Sequence, residues 1–240
     1  IFEEGMTKIP DYFCANSKAN VTLVKVEIPE SVTEIGRSAF YKCSGVKSIK
    51  FPKKISKIGS SAFRYCTGLK KIEFQENDKK VKDTNGQERL YPLVLDRSSF
   101  SDCTGLEEVI LSSNVEKIGD NAFYKCKSLK SINLPEGLKI IGYSFIADTA
   151  VKSLWVPKTV IDGANPAGNG ITEGALDLEE VIFEEGMTKI PDYFCANSKA
   201  NVTLVKVEIP ESVTEIGKYA FKNCTNITIY GYKNSCAESY

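Results

Sequence analysis

Five cysteines recur three residues after a phenylalanine: Cys43 in SAFYKC, Cys66 in SAFRYC, Cys103 in SSFSDC, Cys126 in NAFYKC and Cys224 in YAFKNC. A thiol that returns this regularly could be a metal ligand, a nucleophile, half of a disulfide, or a small apolar side chain in a stack. A tetrahedral metal site needs ligands that converge, usually close-spaced cysteine pairs with histidine. The chain has no C-x-x-C pair and no histidine. A catalytic thiolate needs an activating base, and the usual one is missing. Thiols repeated along a column have parallel Cβ bonds, which disfavours disulfides between them. The expectation is therefore buried, reduced, structural cysteine. Cys14, Cys195 and Cys236 fall outside the series, and their redox state stays open.

Other catalytic constellations are scarce. Without histidine, Ser-His-Asp and Cys-His catalysis are excluded, and neither a P-loop nor a G-x-G-x-x-G appears. Acidic pairs stand at Glu107–Glu108 and Glu179–Glu180. Glycoside hydrolysis needs two carboxylates facing one bond, but neighbours on a strand point to opposite faces. They read as solvated charges. No enzyme, no cofactor and no metal is expected.

The elements that place the cysteines follow from the period. Phe40 to Phe63 is 23 residues, Phe100 to Phe123 is 23, and Phe123 to Phe145 is 22, with Asp148 expected in the place of the cysteine. Each step is followed by an apolar-x-x-apolar-x-apolar segment: VKSIKFP from Val46, LKKIEF from Leu69, LEEVIL from Leu106, LKSINLP from Leu129, VKSLWVP from Val151, LEEVIF from Leu178, and LVKVEIP from Leu23 and Leu204. These read as short strands closed by proline. ITIY from Ile227 adds a ninth. A second segment, as in SVTEIG and KISKIG, reads as a short extended stretch on the opposite side of the coil, ending at a glycine turn. The Ala-Phe-x-x-Cys step reads as one helical turn. A unit this small cannot bury its own apolar face, so the units must stack as a solenoid. Nine coils at strand spacing make a body about 40 Å long.

Three regions depart from the rhythm. Residues 75–94 form a polar insertion that lengthens one period from 23 to 37 residues, and read as an exposed loop. Residues 157–183 form a degenerate coil without the phenylalanine, and residues 231–240 read as the start of a C-terminal cap. Residues 1–36 are repeated without change at 182–217, which suggests a recent duplication and a piece of a longer protein.

Charge and hydropathy narrow the partners. Lys plus Arg and Asp plus Glu each number 31, so no basic footprint for nucleic acid exists. No apolar run approaches the ~20 residues that span a bilayer. Within each strand the residue between the last two apolar positions faces outward, giving the file Lys50, Glu73, Ile110, Asn133, Trp155, Ile182. The only tryptophan thus sits on the open face between isoleucines, with Lys152 nearby; exposed apolar clusters and tryptophan mark interaction sites. The competing expectation is that the degenerate coil or the insertion covers Trp155. Asn-x-Thr triplets at Asn20, Asn201, Asn223 and Asn226 matter only in a eukaryotic secretory pathway.

The segments IGSSAFRYCTGLKKIEF and IGDNAFYKCKSLKSINLP resemble the BspA-type leucine-rich repeat of bacterial and protozoan surface proteins, over residues 1–230. The resemblance implies a β-rich, right-handed leucine-rich-repeat solenoid with a concave parallel sheet, formally α/β, of about nine coils with period 22–27. It implies export to the cell surface and binding of a protein ligand, such as an extracellular matrix or host surface protein, through the concave face. Ile110, Asn133, Lys152, Trp155 and Ile182 are the candidate contact residues. It offers no shared catalytic residues. The alternative is a passive spacer that presents another domain.

Overall fold

The coils contribute short strands on two sides, and outside the inserted segment each described strand pairs in parallel with its counterpart one coil away, as a stacked repeat requires. The computed structural model describes residues 2–3, 5–15, 23–77, 79–82, 84–161, 170–197 and 203–239; Asn20 and Asn201 lie outside them. The longer strands fall into two parallel sheets. One holds Ser48–Phe51, Lys71–Phe74 and Glu108–Ile110; the other holds Ser153–Val156, Glu180–Phe183, Lys206–Glu208 and Thr228–Tyr230. The expected strands at Leu23 and Leu129 keep their buried apolar residues, Val26 and Ile28, Ile132 and Leu134, but are not hydrogen-bonded as strands. Nine strand positions enclose about eight turns of solenoid, with almost no helix.

The second extended segment is confirmed. The pairs Lys8–Ile9, Glu34–Ile35, Lys57–Ile58, Leu93–Leu95, Val115–Ile118 and Ile140–Ile141 form a six-stranded parallel sheet. Lys189–Ile190 and Glu215–Ile216 form a further pair. In all of these the isoleucine or leucine turns into the core, the period-2 alternation of a half-buried strand.

The Ala-Phe-x-x-Cys step is not a helical turn. Ser38 (φ 51°) and Lys42 (φ 63°) are left-handed, and the same two positions repeat at Ser61 and Tyr65, Ser98 and Asp102, and Asn121 and Lys125. A left-handed non-glycine residue costs roughly 1–2 kcal/mol. The offset comes from a third ladder: Ser38, Phe40 and Lys42 donate their N–H groups to the carbonyls of Ser60, Ala62 and Arg64 at 3.0, 2.7 and 2.8 Å. A helix would have spent those amides within its own coil. Here alternate amides reach the neighbour.

The phenylalanines stack in single file. Ring centroids lie 5.0 Å apart for Phe40–Phe63, 5.3 Å for Phe63–Phe100 and 5.6 Å for Phe100–Phe123, all nearly parallel. Full burial of each ring stabilises the stack by about 1.5–3 kcal/mol. Phe145 does not continue the file. Phe123 donates to the Phe145 carbonyl as Phe100 does to that of Ala122, so Phe145 fills the alanine slot. Ile146 then takes the phenylalanine slot, Thr149 the cysteine slot, and Asp148 (φ 54°) the left-handed position of Lys125. The aromatic spacing of 22 residues misled because the register step is 23.

The inserted segment carries strands of its own. Lys80–Lys82 pairs antiparallel with Glu88–Leu90, and Leu93–Leu95 rejoins the six-stranded sheet. The scaffold holds both ends of it. Glu76 accepts from the Ser113 amide (3.1 Å) and hydroxyl (2.5 Å), Arg89 pairs with Glu116 at 2.7 Å, and Asn114 donates to the Tyr91 carbonyl at 2.8 Å.

Candidate binding face

The thiol column takes shape from the turn geometry. The Sγ of Cys66 lies 3.2 Å from the carbonyl of Phe40, Cys103 3.1 Å from that of Phe63, and Cys126 3.3 Å from that of Phe100. Each cysteine thus donates its S–H to the phenylalanine one coil earlier, while its small volume fits beside the ring. None of the eight cysteines is joined in a disulfide. Burial, with Cys66 and Cys14 adjacent, pushes the Cys43 thiol up to about 12, and burial takes Cys224 to about 11. Cys66 is raised by its hydrogen bond with Cys103 and by burial, and Cys103, Cys126 and Cys195 by burial. These groups stay protonated and apolar at neutral pH, the opposite of an activated nucleophile. Cys14 and Cys195 occupy the phenylalanine slot of their coils, since their amides donate to Ala39 and Ala220 as that of Phe40 does to Ala62. Among the described residues no group of three or more His, Cys, Asp or Glu side chains is placed to hold a metal ion.

The acidic pairs are consumed in cross-strand ion pairs. Glu107 meets Lys70 at 2.5 Å, Glu108 meets Lys71 at 2.9 Å, Glu179 meets Lys152 at 2.7 Å, and Glu180 meets Lys206 at 2.6 Å. Lys152 is thereby engaged, its ammonium pKa raised by the hydrogen bond to Glu179. Exposed pairs of this kind contribute roughly 0–1 kcal/mol each. They leave the sheet face neutral.

Trp155 stands on that face with 39% of its surface exposed, in register with Ile182. Ile182 is half-buried and pairs onward with Glu208, which pairs with Tyr230. Ile110, 38% exposed, ends the other file after Lys50 and Glu73, and exposed Asn133 lies between the two sheets in the chain. The two sheets thus divide the candidate residues: Trp155, Ile182 and Lys152 belong to one, Ile110 to the other. Tyr230, 54% exposed with the Lys206 ammonium 5.7 Å from its ring centre, is a member that sequence reasoning missed. Carrying the register of Glu208 forward by 22 residues would have found it.

The BspA type Leucine rich repeat region matches residues 1–85 and 94–228, in six copies. The chain belongs to this family. No curated protein matches it. Among solved structures it is similar to a leucine rich cell surface protein from Faecalibacterium prausnitzii, with TM-score 0.57 and 22% identity over 95% of this chain and 65% of that one. It is also similar to the T. pallidum leucine rich repeat protein, with TM-score 0.57 and 19% identity over 86% and 89% of the two chains. The pneumococcal vaccine antigen PcpA aligns with TM-score 0.50 and 20% identity over 94% and 67%. These likenesses are of fold, and the chain spans 65% of the length of the first. Among the described residues no helix is long and apolar enough to cross a membrane.

Proposed function

We propose that this repeat protein is a non-catalytic module that binds a protein ligand at the cell surface, through the sheet face centred on Trp155. One observation carries the reading. A tryptophan and an isoleucine stand side by side in cross-strand register on a face whose charges are otherwise neutralised in Lys–Glu pairs. A large aromatic side chain with half-exposed aliphatic support is the anchor type that dominates protein interfaces. Tyr230 extends the patch along the same file, and Ile110 and Asn133 continue the face toward the neighbouring sheet. Repeat solenoids of this family are generally non-catalytic, and the raised thiol pKa values agree with that. The cell-surface description of the Faecalibacterium protein supports an extracellular location, where matrix or host surface proteins are the partners within reach. Recovery of solubilised extracellular-matrix proteins on immobilised protein tests the face. Trp155→Ala is expected to lower recovery at least about tenfold, the loss of one hot-spot side chain. Val24→Ala, at an exposed position away from this sheet, should leave it unchanged. Equal recovery by Trp155→Ala and wild type would reject this face.

A further inference from the structure

The chain contains only four arginines, and three of them, Arg37, Arg64 and Arg97, line one hollow of about 360 Å³ together with Ser60, Ser61 and Ser98. The solenoid register brings them together. Ser38 donates to the Ser60 carbonyl and Ser61 to the Arg97 carbonyl, so Arg37, Ser60 and Arg97 hold the same place in three successive coils. At a coil spacing of ~4.8 Å, Arg37 and Arg97 stand roughly 10 Å apart with Ser60 between them. Arg64 enters from the turn of the middle coil.

The hollow is poised for an anion. No carboxylate lines it. Arg64 is fixed in place: its Nε donates to Asp102 at 3.0 Å, its Nη2 to the Tyr65 hydroxyl at 3.2 Å, and its guanidinium lies 4.8 Å from the Tyr65 ring centre. The nearby carboxylates are occupied elsewhere. Asp102 also accepts from Ser101 at 2.7 Å, Asp96 pairs with Lys57 at 3.3 Å, and Asp11 accepts the Arg37 amide at 2.9 Å. Asp120, one coil beyond Arg97, forms no ion pair with it. The Arg97 guanidinium and the hydroxyls of Ser60, Ser61 and Ser98 have no hydrogen-bond partner among the described residues, and Arg37 has only the Tyr12 ring, 6.0 Å away. Three guanidinium groups and three serine hydroxyls lining one hollow can donate to several oxygens at once, which suits a tetrahedral oxyanion better than a planar carboxylate. The hollow also leaves room for the group that carries it.

The geometry points to a second ligand site, distinct from the Trp155 face: Arg37, Arg64 and Arg97, with Ser60, Ser61 and Ser98, bind a sulfate or phosphate monoester group. Titration of the isotope-labelled chain with inorganic phosphate, and separately with inorganic sulfate, tests it by NMR at constant ionic strength, with chloride and acetate as references. Saturable shifts are expected at the three arginine side chains and at the Ser60, Ser61 and Ser98 amides. Arg97→Gln and Arg37→Gln, both exposed, should weaken binding about tenfold or more, the range for a hydrogen bond to a charged group. Arg89→Gln, at the remaining arginine outside the hollow, should not. Phosphate binding that rises between about pH 6 and pH 8 while sulfate stays level assigns a phosphate ester, because only phosphate gains its second charge there; saturation by sulfate alone assigns a sulfate ester. Equal saturation by acetate, shifts reproduced by chloride, or affinity unchanged in Arg97→Gln would overturn the site.

Discussion

Residues 1–36 and 182–217 share one sequence, yet their described residues differ in burial and in strand pairing. Phe13 is 42% exposed, whereas its twin Phe194 is fully buried against Phe183, ring centres 5.0 Å apart. Cys14, Leu23 and Met6 are half-buried, and their twins Cys195, Leu204 and Met187 are buried. Lys206–Glu208 is a strand between Glu180–Phe183 and Thr228–Tyr230, while the twin residues 25–27 form none. Around the first copy Phe2, Phe13, Leu23, Val26 and Phe40 border an open cleft of about 580 Å³. The second copy packs against an upstream coil. In the second copy the Glu179 carbonyl accepts from both Val205 and Lys206, and Leu178 and Val181 roof the core. Identical side chains are kept dry in one place and wet in the other. Burial is therefore a property of the stack and not of the coil.

The sharpest way to break this comparison is to truncate the same ring twice. Phe194→Ala should cost about 3–5 kcal/mol in urea unfolding, as large-to-small core changes do. Phe13→Ala should cost clearly less, because Phe13 is already 42% exposed. Similar losses would mean that the coil is stable on its own. The thiols give the next largest difference. Cys195→Ser places a hydroxyl in a buried slot and should cost about 1–3 kcal/mol, against a smaller loss for Cys14→Ser. Thiol labelling of the native protein should likewise modify Cys14 well before Cys195, whose pKa is held well above the usual value by burial.

Ion pairing offers a rival explanation, and it predicts a different ranking. Lys206 bridges to Glu180 at 2.6 Å and to Glu208 at 2.5 Å, whereas among the described residues its twin Lys25 pairs with Glu27 alone, at 2.5 Å. The Glu180 carboxyl is held below its usual range by hydrogen bonds from Lys206 and Ser153. A depressed carboxylate contributes stability above its unfolded pKa of about 4.3, and loses it as pH falls through the lower folded value. Glu180→Gln should therefore cost at most ~1 kcal/mol at neutral pH, nothing at low pH, and less in high salt. A loss as large as that of Phe194→Ala would favour charge over packing.

Much of this was legible in the residues. Strand alternation, the parallel stack and the file of Phe40, Phe63, Phe100 and Phe123 follow from a period of 23 and the need to cover apolar faces. What stayed hidden was local backbone geometry. The left-handed Ser38 and Lys42 are not residues that announce such a conformation, and only the neighbouring coil's carbonyls make it favourable. The same omission misplaced Phe145, whose slot is set by which amide meets which carbonyl and not by the distance between aromatic rings. On the candidate face, Trp155 and Ile182 were readable because strand period alone fixes their side, whereas the arginine hollow needed three coils aligned by their turns.

Amide hydrogen exchange in the native protein compares the two copies most directly. The N–H groups of Val205 and Lys206, bonded to Glu179 at 3.0 and 3.1 Å, should exchange at least about a hundredfold more slowly than those of Val24 and Lys25. Equal protection of the twin amides would contradict the account, since the bonds to the Glu179 carbonyl would then add nothing to the order of the coil.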